Sequence, residues 1–331
     1  MDRVPLTHRF VRRFVAGAGA DDALGVLAAL NAGGLVAAVT YLGENVRARP
    51  GAERATAMYL RLLDEIGHRG LRAVPSLKLT HLGLDLDEDL CVVNLRRVAE
   101  RGSQVGALVW IDMESSAYTQ RTLDLYARLR PAHPNLACVV QAYLRRTAAD
   151  VERLVDLGAT VRLCKGAYHE PPAIAYPDKR DVDANYARLA ERLLAPDALA
   201  RGVYPGFATH DERLQHHVRR LAAEREIGSD RFEIQMLYGI RRDLHAALRA
   251  AAVTLRVLVP FGEDWYGYFV RRLAERPANL LFLLRNLRTW GAPTWPPIPP
   301  NARSTPAKPW RSSIPPNARS TPAKPWRSSI L

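Results

Sequence analysis

Polar and charged residues lie near the ends of short apolar segments at several places in the chain. Lys78 lies in LRAVPSLKL (71–79), and Asp112 lies in GALVWIDM (106–113). The pattern recurs at Gln141, Arg162, Lys165, Thr209, His210 and Gln235. A buried charge is costly unless it is paired, so the recurrence favours one site on which the segments converge over a separate structural cap at each segment end. We expect Lys78 and Asp112, on neighbouring segments, to form an ion pair.

The apolar segments have the length and composition of β-strands. Eight of them alternate with amphipathic helical stretches: LVAAVTYL (35–42), LRAVPSLKL (71–79), GALVWIDM (106–113), LACVVQAYL (136–144), ATVRLCKG (159–166), VYPGFATH (203–210), RFEIQMLYG (231–239) and VTLRVLVPFG (253–262). The predicted helix N-caps are Ser115 or Ser116, Thr147, Asp183 and Asp211.

Eight strand–helix units over about 255 residues have the count and size of a (β/α)8 barrel. A doubly wound sheet also alternates strands and helices, but eight strands without a glycine-rich first turn favour closure. The active sites of such barrels gather at the carboxyl ends of the strands, where the polar residues lie. We therefore predict an α/β barrel over residues 35–290. Residues 1–34 are predicted to add outer helices, in THRFVRRFVAG and DDALGVLAALN.

Residues 291–331 form a third region, a proline-rich tail with an internal repeat. The sequence PPNARSTPAKPWRSSI runs from Pro299 to Ile314 and again from Pro315 to Ile330. Proline at this density continues neither a helix nor a central strand, so we predict an extended or disordered tail. A basic tail with tryptophans is compatible with membrane or nucleic-acid contact, but a duplicated disordered extension is the simpler interpretation.

The composition excludes several classes of protein. Lys and Arg number 47 against 34 Asp and Glu, a net charge of +13, which suits anionic ligands, nucleotides or an anionic membrane surface. The three cysteines are far apart and the histidines show no HExxH spacing, so we expect neither a disulfide framework nor a metal site. The N-terminal MDRVPLTHRFVRRF lacks a secretory apolar stretch, which predicts a cytoplasmic protein.

Nucleotide-binding motifs are weak in this sequence. AGAGADD (16–22) offers GxG after a helix-like stretch, but Asp22 stands where the third glycine belongs, and GxxxxGK[ST] is absent. A bound nucleotide would therefore need to place its phosphates at the barrel mouth, near KGAY (165–168) and ATHD (208–211).

Seven motifs along the chain carry a family resemblance. LKLTHLG, WIDMES, VVQAYLRRT, VRLCKGAY, FATHD, EIQMLYGIR and YFVRRLAERPAN occur in this order and resemble the proline dehydrogenase family in its short, single-function bacterial form. The resemblance covers about residues 5–290 and implies a distorted (β/α)8 barrel that holds FAD non-covalently.

The activity implied by the resemblance is oxidation of L-proline to Δ1-pyrroline-5-carboxylate, the first step of proline catabolism to glutamate. Electrons would pass to a membrane quinone, which is compatible with a peripheral position at the inner face of the cell membrane. Pyrroline-5-carboxylate dehydrogenase would be the pathway partner, and no nucleic-acid partner is expected.

The resemblance also implies roles for individual residues. Arg162 would lie near N5 of the flavin ring, and both Arg162 and Asp112 would be catalytic. The residues expected to contact FAD are Met113, Gln141, Arg162, Lys165, Gly166, Ala167, Thr209, His210 and Gln235. Lys78 would lie beside the substrate, with Tyr168 and Leu237 as walls of its pocket.

The stretch YFVRRLAERPAN (268–279) would complete the substrate pocket. On the pattern of i, i+3, i+4 and i+7, one helical stripe holds Tyr268, Arg271, Arg272 and Glu275. By resemblance, the two arginines would bind the proline carboxylate with their planar donors. Tyr268 would form an apolar wall and Glu275 a counter-charge. Without the resemblance, this stripe would indicate an ordinary solvent-exposed helix surface.

One position departs from the family pattern. Strand eight usually carries a tyrosine, in a sequence like YVPYG, but VLVPFG here has Leu258 at that place. The alternative substrates are therefore hydroxyproline or another cyclic imino acid, although leucine keeps an apolar contact and favours proline. Two other readings of the chain are a basic nucleic-acid-binding protein and a barrel that binds proline or flavin without turnover.

Overall fold

The polypeptide winds into a closed barrel of eight parallel strands. The computed structural model describes residues 12–268. The strands are β1 (Val36–Tyr41), β2 (Ala73–Leu77), β3 (Val109–Ile111), β4 (Leu136–Gln141), β5 (Thr160–Cys164), β6 (Tyr204–Ala208), β7 (Glu233–Leu237) and β8 (Thr254–Phe261). Each pairs with its sequence neighbours, and β1 pairs with β8 from Val36 opposite Arg256 to Tyr41 opposite Phe261. All eight predicted strands and the predicted (β/α)8 barrel are confirmed.

Helices surround the strands on the outside of the barrel. Within residues 12–268 they are α1 (Ala20–Ala32), α2 (Arg49–His68), α3 (Glu88–Gln104), α4 (Ser116–Leu129), α5 (Thr147–Asp156), α6 (Lys179–Leu193), α7 (Pro196–Ala200), α8 (Glu212–Glu224) and α9 (Asp243–Ala250). In α2 the buried residues Ala55, Tyr59, Leu62 and Ile66 recur at helical spacing. This periodicity turns one apolar face of the helix toward the strands.

The predicted N-caps are correct at two places and wrong at two. Ser115 precedes α4, and Asp211 precedes α8 and accepts a hydrogen bond from the Arg213 backbone N–H. Thr147 is instead the first residue of α5, and its hydroxyl donates to the Gln141 carbonyl. Asp183 lies inside α6, which begins at Lys179 after Asp178, and its carboxylate pairs with lysine side chains at the barrel mouth.

Helix α1 covers the seam between the first and last strands. Ala23, Leu24 and Leu27 on α1 are fully buried in the main core. Just before the helix, the Ala16 backbone N–H donates to the Pro260 carbonyl at 2.8 Å. The predicted second outer helix is thus confirmed. The described part of the first, residues 12–17, is not helical but forms turns and irregular backbone, and its remainder lies outside the described residues.

The other predicted regions fall outside residues 12–268. The tail repeat and the boundary near residue 290 are among these. Within the described chain, none of the helices combines the length and apolarity that crossing a membrane requires.

Candidate active site

Arg162, in the middle of β5, is the centre of a buried polar cluster inside the barrel. Its Nη1 donates to Asp112 Oδ1 at 2.6 Å and to Ser76 Oγ at 3.0 Å, and its Nε donates to Gln235 Oε1 at 2.5 Å. Ser76 also donates to Asp112 Oδ1 at 2.7 Å. Three residues predicted from separate strand ends, Asp112, Arg162 and Gln235, are therefore brought together. Ser76 is a fourth member that the sequence did not single out.

The Arg162 guanidinium is buried although it carries a charge. It lies over the ring of the fully buried Trp110, 4.5 Å from the ring centroid, a geometry that stabilises a cation. Burial lowers the pKa of Arg162, and the charge of Asp112 opposes that shift. Nη2 is buried and has no hydrogen-bond partner among the described residues. A buried donor of this kind implies that the site is completed by a group that accepts a hydrogen bond.

A second ion pair lies deeper in the barrel, on the other side of Gln235. Gln235 Nε2 donates to Glu233 Oε1 at 2.5 Å, and Arg256 donates to the two Glu233 oxygens at 2.6 and 2.8 Å. Arg256 also donates to the Ala37 carbonyl at 2.9 Å. Sequence reasoning missed Glu233 and Arg256, although each is a charge within an apolar strand, in RFEIQMLYG and VTLRVLVPFG.

The predicted ion pair between Lys78 and Asp112 is wrong. Lys78 pairs instead with Glu44, from the loop after β1, while Asp112 pairs with Arg162. The two predicted partners do follow neighbouring strands, which are in register at Leu77 and Ile111. Asp112 pairs with an arginine on β5, two strands away, and the loop supplies Lys78 with another carboxylate.

Lys165 belongs to a separate cluster of charges at the barrel mouth. Its Nζ donates to Asp183 Oδ1 at 2.5 Å and to Asp211 Oδ2 at 3.0 Å. Lys179 and Arg213, both largely exposed, contact the same two carboxylates. Burial alone would raise the pKa of Asp211, but hydrogen bonds from Arg213 and Lys165 outweigh it and the pKa is lowered. With three cations and two carboxylates, the cluster keeps a net positive charge.

The remaining predicted flavin contacts line the ends of β3, β4, β6 and β7. Gln141 Nε2 donates to the Glu114 carbonyl at 2.9 Å. Met113, which precedes Glu114 in the chain, is buried. The Thr209 backbone N–H donates to the Gln235 carbonyl at 3.2 Å. His210 Nε2 accepts from the Leu237 backbone N–H at 2.9 Å, so any proton on the neutral ring is on Nδ1.

The turn after β5 requires glycine at position 166. Gly166 has φ of +112°, and a Cβ there would lie 2.1 Å from Cδ1 of the Tyr143 ring. Ala167 is exposed, and Tyr168 packs beside Tyr143 and Leu144. Glycine therefore lets the backbone after Lys165 pack directly against the Tyr143 ring.

The sequence that forms this barrel matches a known protein family. A family model described as "Proline dehydrogenase" matches residues 23–285, a span that includes every strand of the barrel. This chain belongs to the proline dehydrogenase family. It is accordingly an oxidoreductase of a flavoprotein family.

Curated relatives in the proline dehydrogenase family match most of the chain. "Proline dehydrogenase 1" of Bacillus subtilis (strain 168) is 39% identical over 281 residues, covering 85% of this chain and 91% of the relative. "Proline dehydrogenase" of Deinococcus radiodurans is 37% identical over 280 residues, covering 83% and 89%. These relatives have the short, single-function form that the motifs predicted.

Solved structures of longer proteins share the barrel. Proline utilization A from Bdellovibrio bacteriovorus, inactivated by N-propargylglycine, superposes with a TM-score of 0.76 at 25% identity, covering 85% of this chain and 34% of that one. The D778Y mutant of Bradyrhizobium japonicum proline utilization A gives 0.71 at 25% identity, covering 82% and 31%. This proline dehydrogenase family member thus spans about a third of those chains.

The residues at the mouth of this proline dehydrogenase barrel fit a flavin. The buried Nη2 of Arg162, without a hydrogen-bond partner among the described residues, offers a donor to a nitrogen or oxygen lone pair of the flavin ring, and Lys165 with its neighbours offers positive charge for phosphates. A metal fits less well, because residues 12–268 hold no group of three His, Cys, Asp or Glu side chains suited to one.

Leu258 and Leu237 lie at the same end of the barrel and are half-buried. They are neighbours in the register of β7 and β8. Tyr268, at the edge of the described region, is buried in a small cluster with Val15 and Leu42. Arg271, Arg272 and Glu275 lie outside the described residues.

Proposed function

We propose that this chain binds FAD non-covalently at the barrel mouth and oxidises L-proline to Δ1-pyrroline-5-carboxylate. Electrons pass on to a membrane quinone, and the reaction is the first step of proline breakdown to glutamate. The observation that carries the proposal is the buried Arg162 guanidinium, fixed by Asp112, Ser76 and Gln235 with one donor left over. Membership of the proline dehydrogenase family supports the substrate.

The oxidation removes a hydride, that is one proton with two electrons, from the carbon beside the ring nitrogen, and a proton from that nitrogen, to form the C=N bond. Protein side chains cannot hold an electron pair in this way. When bound, FAD supplies the acceptor for these two electrons. The residues that would hold it are Met113, Gln141, Arg162, Lys165, Gly166, Ala167, Thr209, His210 and Gln235.

Arg162 supplies fixed positive charge beside the reacting atoms. Its three hydrogen bonds prevent it from reorienting, and burial against Trp110 excludes water from one side. A donor that is already oriented requires no rearrangement when charge develops during the reaction. Asp112 takes the proton from the substrate nitrogen at Oδ2, since its two described hydrogen bonds both involve Oδ1.

The substrate pocket combines one charged side with one apolar side. Lys78 lies at the charged side, where Glu44 holds it. Tyr168, Leu237, Leu258 and Tyr268 provide apolar walls for the ring. Beyond the described region, Arg271 and Arg272 bind the carboxylate and Glu275 balances them.

Proline is preferred over hydroxyproline because Leu258 offers no hydrogen-bonding group. An unpaired buried hydroxyl costs about 1–3 kcal/mol on scales derived from protein variants. Comparing kcat/KM for the two substrates tests this, and equal values would contradict it.

The proposed activity is tested on the purified chain by absorbance. We expect the flavin bands of non-covalent FAD, released by denaturation, and bleaching of those bands when L-proline is added without oxygen. A quinone analogue should then restore the bands. Protein that takes up no FAD on reconstitution, or bound FAD that proline does not bleach, would refute the proposal.

A membrane quinone as electron acceptor implies that the protein acts at a membrane surface. We propose a cytoplasmic enzyme that reaches its quinone at the inner face of the membrane, with pyrroline-5-carboxylate dehydrogenase consuming its product. Sedimentation with quinone-containing vesicles, followed by quinone-dependent turnover, tests the membrane step. Turnover with a soluble dye but not with vesicle quinone would contradict that step alone.

A further inference from the structure

A line of alternating charges runs beneath the active site, from Arg256 through Glu233 and Gln235 to Arg162. Glu233 is fully buried and Arg256 is 3% exposed. The interiors of such barrels are usually filled by branched apolar side chains, which would pack this layer without any desolvation cost. The Glu233–Arg256 pair therefore has a role other than packing, and the polar group that it contacts is the Gln235 amide.

The hydrogen bonds leave the Gln235 amide only one orientation. Its oxygen accepts from Arg162 Nε at 2.5 Å, and its nitrogen donates to Glu233 Oε1 at 2.5 Å. If the amide turned over, its NH2 group would face the Arg162 donor and its oxygen would face the Glu233 carboxylate. Both contacts would be repulsive, so the carboxylate of Glu233 determines that Gln235 presents an acceptor to Arg162.

Arg256 completes this arrangement by donating hydrogen bonds to the lone pairs of the Glu233 carboxylate that Gln235 leaves available. It donates to both Glu233 oxygens, and the Tyr204 hydroxyl adds a longer contact of 3.4 Å. A glutamine at position 233 could not serve these partners, because one of its two terminal groups is a donor and would oppose Arg256 or Gln235.

Gly206 on β6 gives the Gln235 side chain its path. In the strand registers, Gly206 lies opposite Arg162 of β5 on one side and Glu233 of β7 on the other. A Cβ at position 206 would be 2.6 Å from Gln235 Nε2. The missing side chain on β6 thus lets Gln235 reach from β7 to β5.

We propose that Glu233 is a positioning residue for Arg162, acting through the Gln235 amide, and that Gly206 and Arg256 maintain this connection. The inference rests on the proposed function, because it assigns Glu233 to the orientation of the cation used in that reaction.

The first test is Gly206→Ala, which displaces the Gln235 amide while keeping every charge. The atom that must move is the end of a flexible side chain, so the barrel should fold normally. Gly25→Ala is the matched control, because a Cβ there meets nothing within 4 Å. We expect Gly206→Ala to slow reduction of bound FAD by proline about tenfold or more, as for loss of a hydrogen bond to a charged group. Because Gln235 is also a proposed FAD contact, the rate is measured in FAD-saturated protein, and proline affinity should stay near that of the control.

A second readout needs no substrate. If Arg162 loses its fixed position, the midpoint potential of bound FAD should become more negative in Gly206→Ala than in Gly25→Ala, since less positive charge is held beside the ring. Glu233→Gln should shift the potential and the reduction rate as well. If that variant does not fold, Gly206→Ala alone decides.

A double-mutant cycle distinguishes positioning from a general structural effect. In an Arg162→Met background, adding Gly206→Ala should change the reduction rate by less than about twofold, because the residue being positioned is already gone. Equal slowing by Gly206→Ala in the presence and absence of Arg162 would overturn the proposal, as would an unchanged rate and potential in the single variant. Reduction of FAD by proline is measured first in the unsubstituted protein. If proline does not bleach FAD there, the proposed function is refuted, and the variants do not test the role of Glu233.

Discussion

The two charge clusters of this protein differ in how much water they contact. In the buried row, the side chains of Glu233, Arg256 and Arg162 are 0%, 4% and 6% exposed. In the mouth cluster, those of Lys179 and Arg213 are 68% and 81% exposed. With Asp112 counted as the partner of Arg162, the buried row has two cations and two carboxylates, whereas the mouth cluster has three cations and two carboxylates.

This difference shows what each cluster is able to do. A charge removed from water must have a partner and fixed geometry, so the buried row can hold one guanidinium in one orientation for chemistry. Charges that stay hydrated exchange partners at little cost, so the mouth cluster can release Lys165 to an incoming anion. Rigid chemistry and adaptable binding are thus assigned to different depths of one barrel.

Breaking the buried row should have the largest effect on the fold. Arg256→Met removes the cation and leaves Glu233 buried without its partner. We expect the free energy of unfolding to fall by about 3–5 kcal/mol, as for other broken buried pairs. Chemical denaturation at matched FAD content measures this.

The control for that variant is Arg220→Ala, which removes an exposed arginine paired with Glu224 four residues along α8. Its effect should remain within about 0.5 kcal/mol. Similar losses in both variants would mean that burial does not separate the two kinds of ion pair.

Removing the cation at the top of the row should affect the reaction more than the fold. Arg162→Ala deletes the charge beside the flavin, and loss of one such electrostatic contact lowers rates by about 10² or more. Stopped-flow reduction by proline should show this while most FAD binding persists. An unchanged reduction rate would show that Arg162 is not beside the reacting atoms.

The sequence predicted most of the fold because its signals are local. The eight apolar segments and the helical periodicity each depend on residues close in the chain, and all eight strands form. Convergence of Asp112, Arg162 and Gln235 was also predictable, because the carboxyl ends of parallel strands meet at one face of a barrel.

The errors concern partners that local patterns do not specify. Lys78 and Asp112 follow neighbouring strands, but Arg162 reaches Asp112 from β5, two strands away, and Glu44 is supplied by a loop. Asp183 has the residue type of an N-cap, yet α6 begins earlier and its carboxylate is held by Lys165. The roles of Arg271, Arg272 and Glu275 stay predictions.

Within the mouth cluster, Lys165 should affect FAD binding rather than the rate of the reaction. We expect Lys165→Met to weaken FAD affinity about tenfold, since a hydrogen bond to a charged group contributes about 1.5–3 kcal/mol. The rate of flavin reduction in FAD-saturated protein should stay within about twofold. Lys179→Met, at a more exposed member of the same cluster, is the matched control and should weaken binding less.

Titration of FAD into the apoprotein measures the affinity. A loss of reduction rate in saturated Lys165→Met comparable to that of Arg162→Ala would contradict the division between the two clusters.

The smallest expected effect is the dependence of the mouth cluster on pH and salt. The pKa of Asp211 is lowered in the folded protein, because hydrogen bonds from Arg213 and Lys165 outweigh the effect of burial. Its contribution to stability is therefore complete above its unfolded pKa of about 3.9 and is lost as the pH falls below that value. Asp211→Asn keeps an N-cap for α8 but removes the charge, so the variant should be less stable than the native protein at neutral pH and equally stable in acid.

We expect the difference at neutral pH to be within about 1 kcal/mol, because solvent screens the exposed partners. Salt at roughly 1 M should reduce it further, since the screening length then falls to about 3 Å. Urea unfolding of both proteins at several pH values, with and without salt, measures these differences.

The loss of stability in Arg256→Met should by contrast persist in high salt, because ions do not enter the barrel interior. A salt response of equal size in the two variants would mean that water reaches Glu233, and the distinction between a rigid and an adaptable cluster would fail.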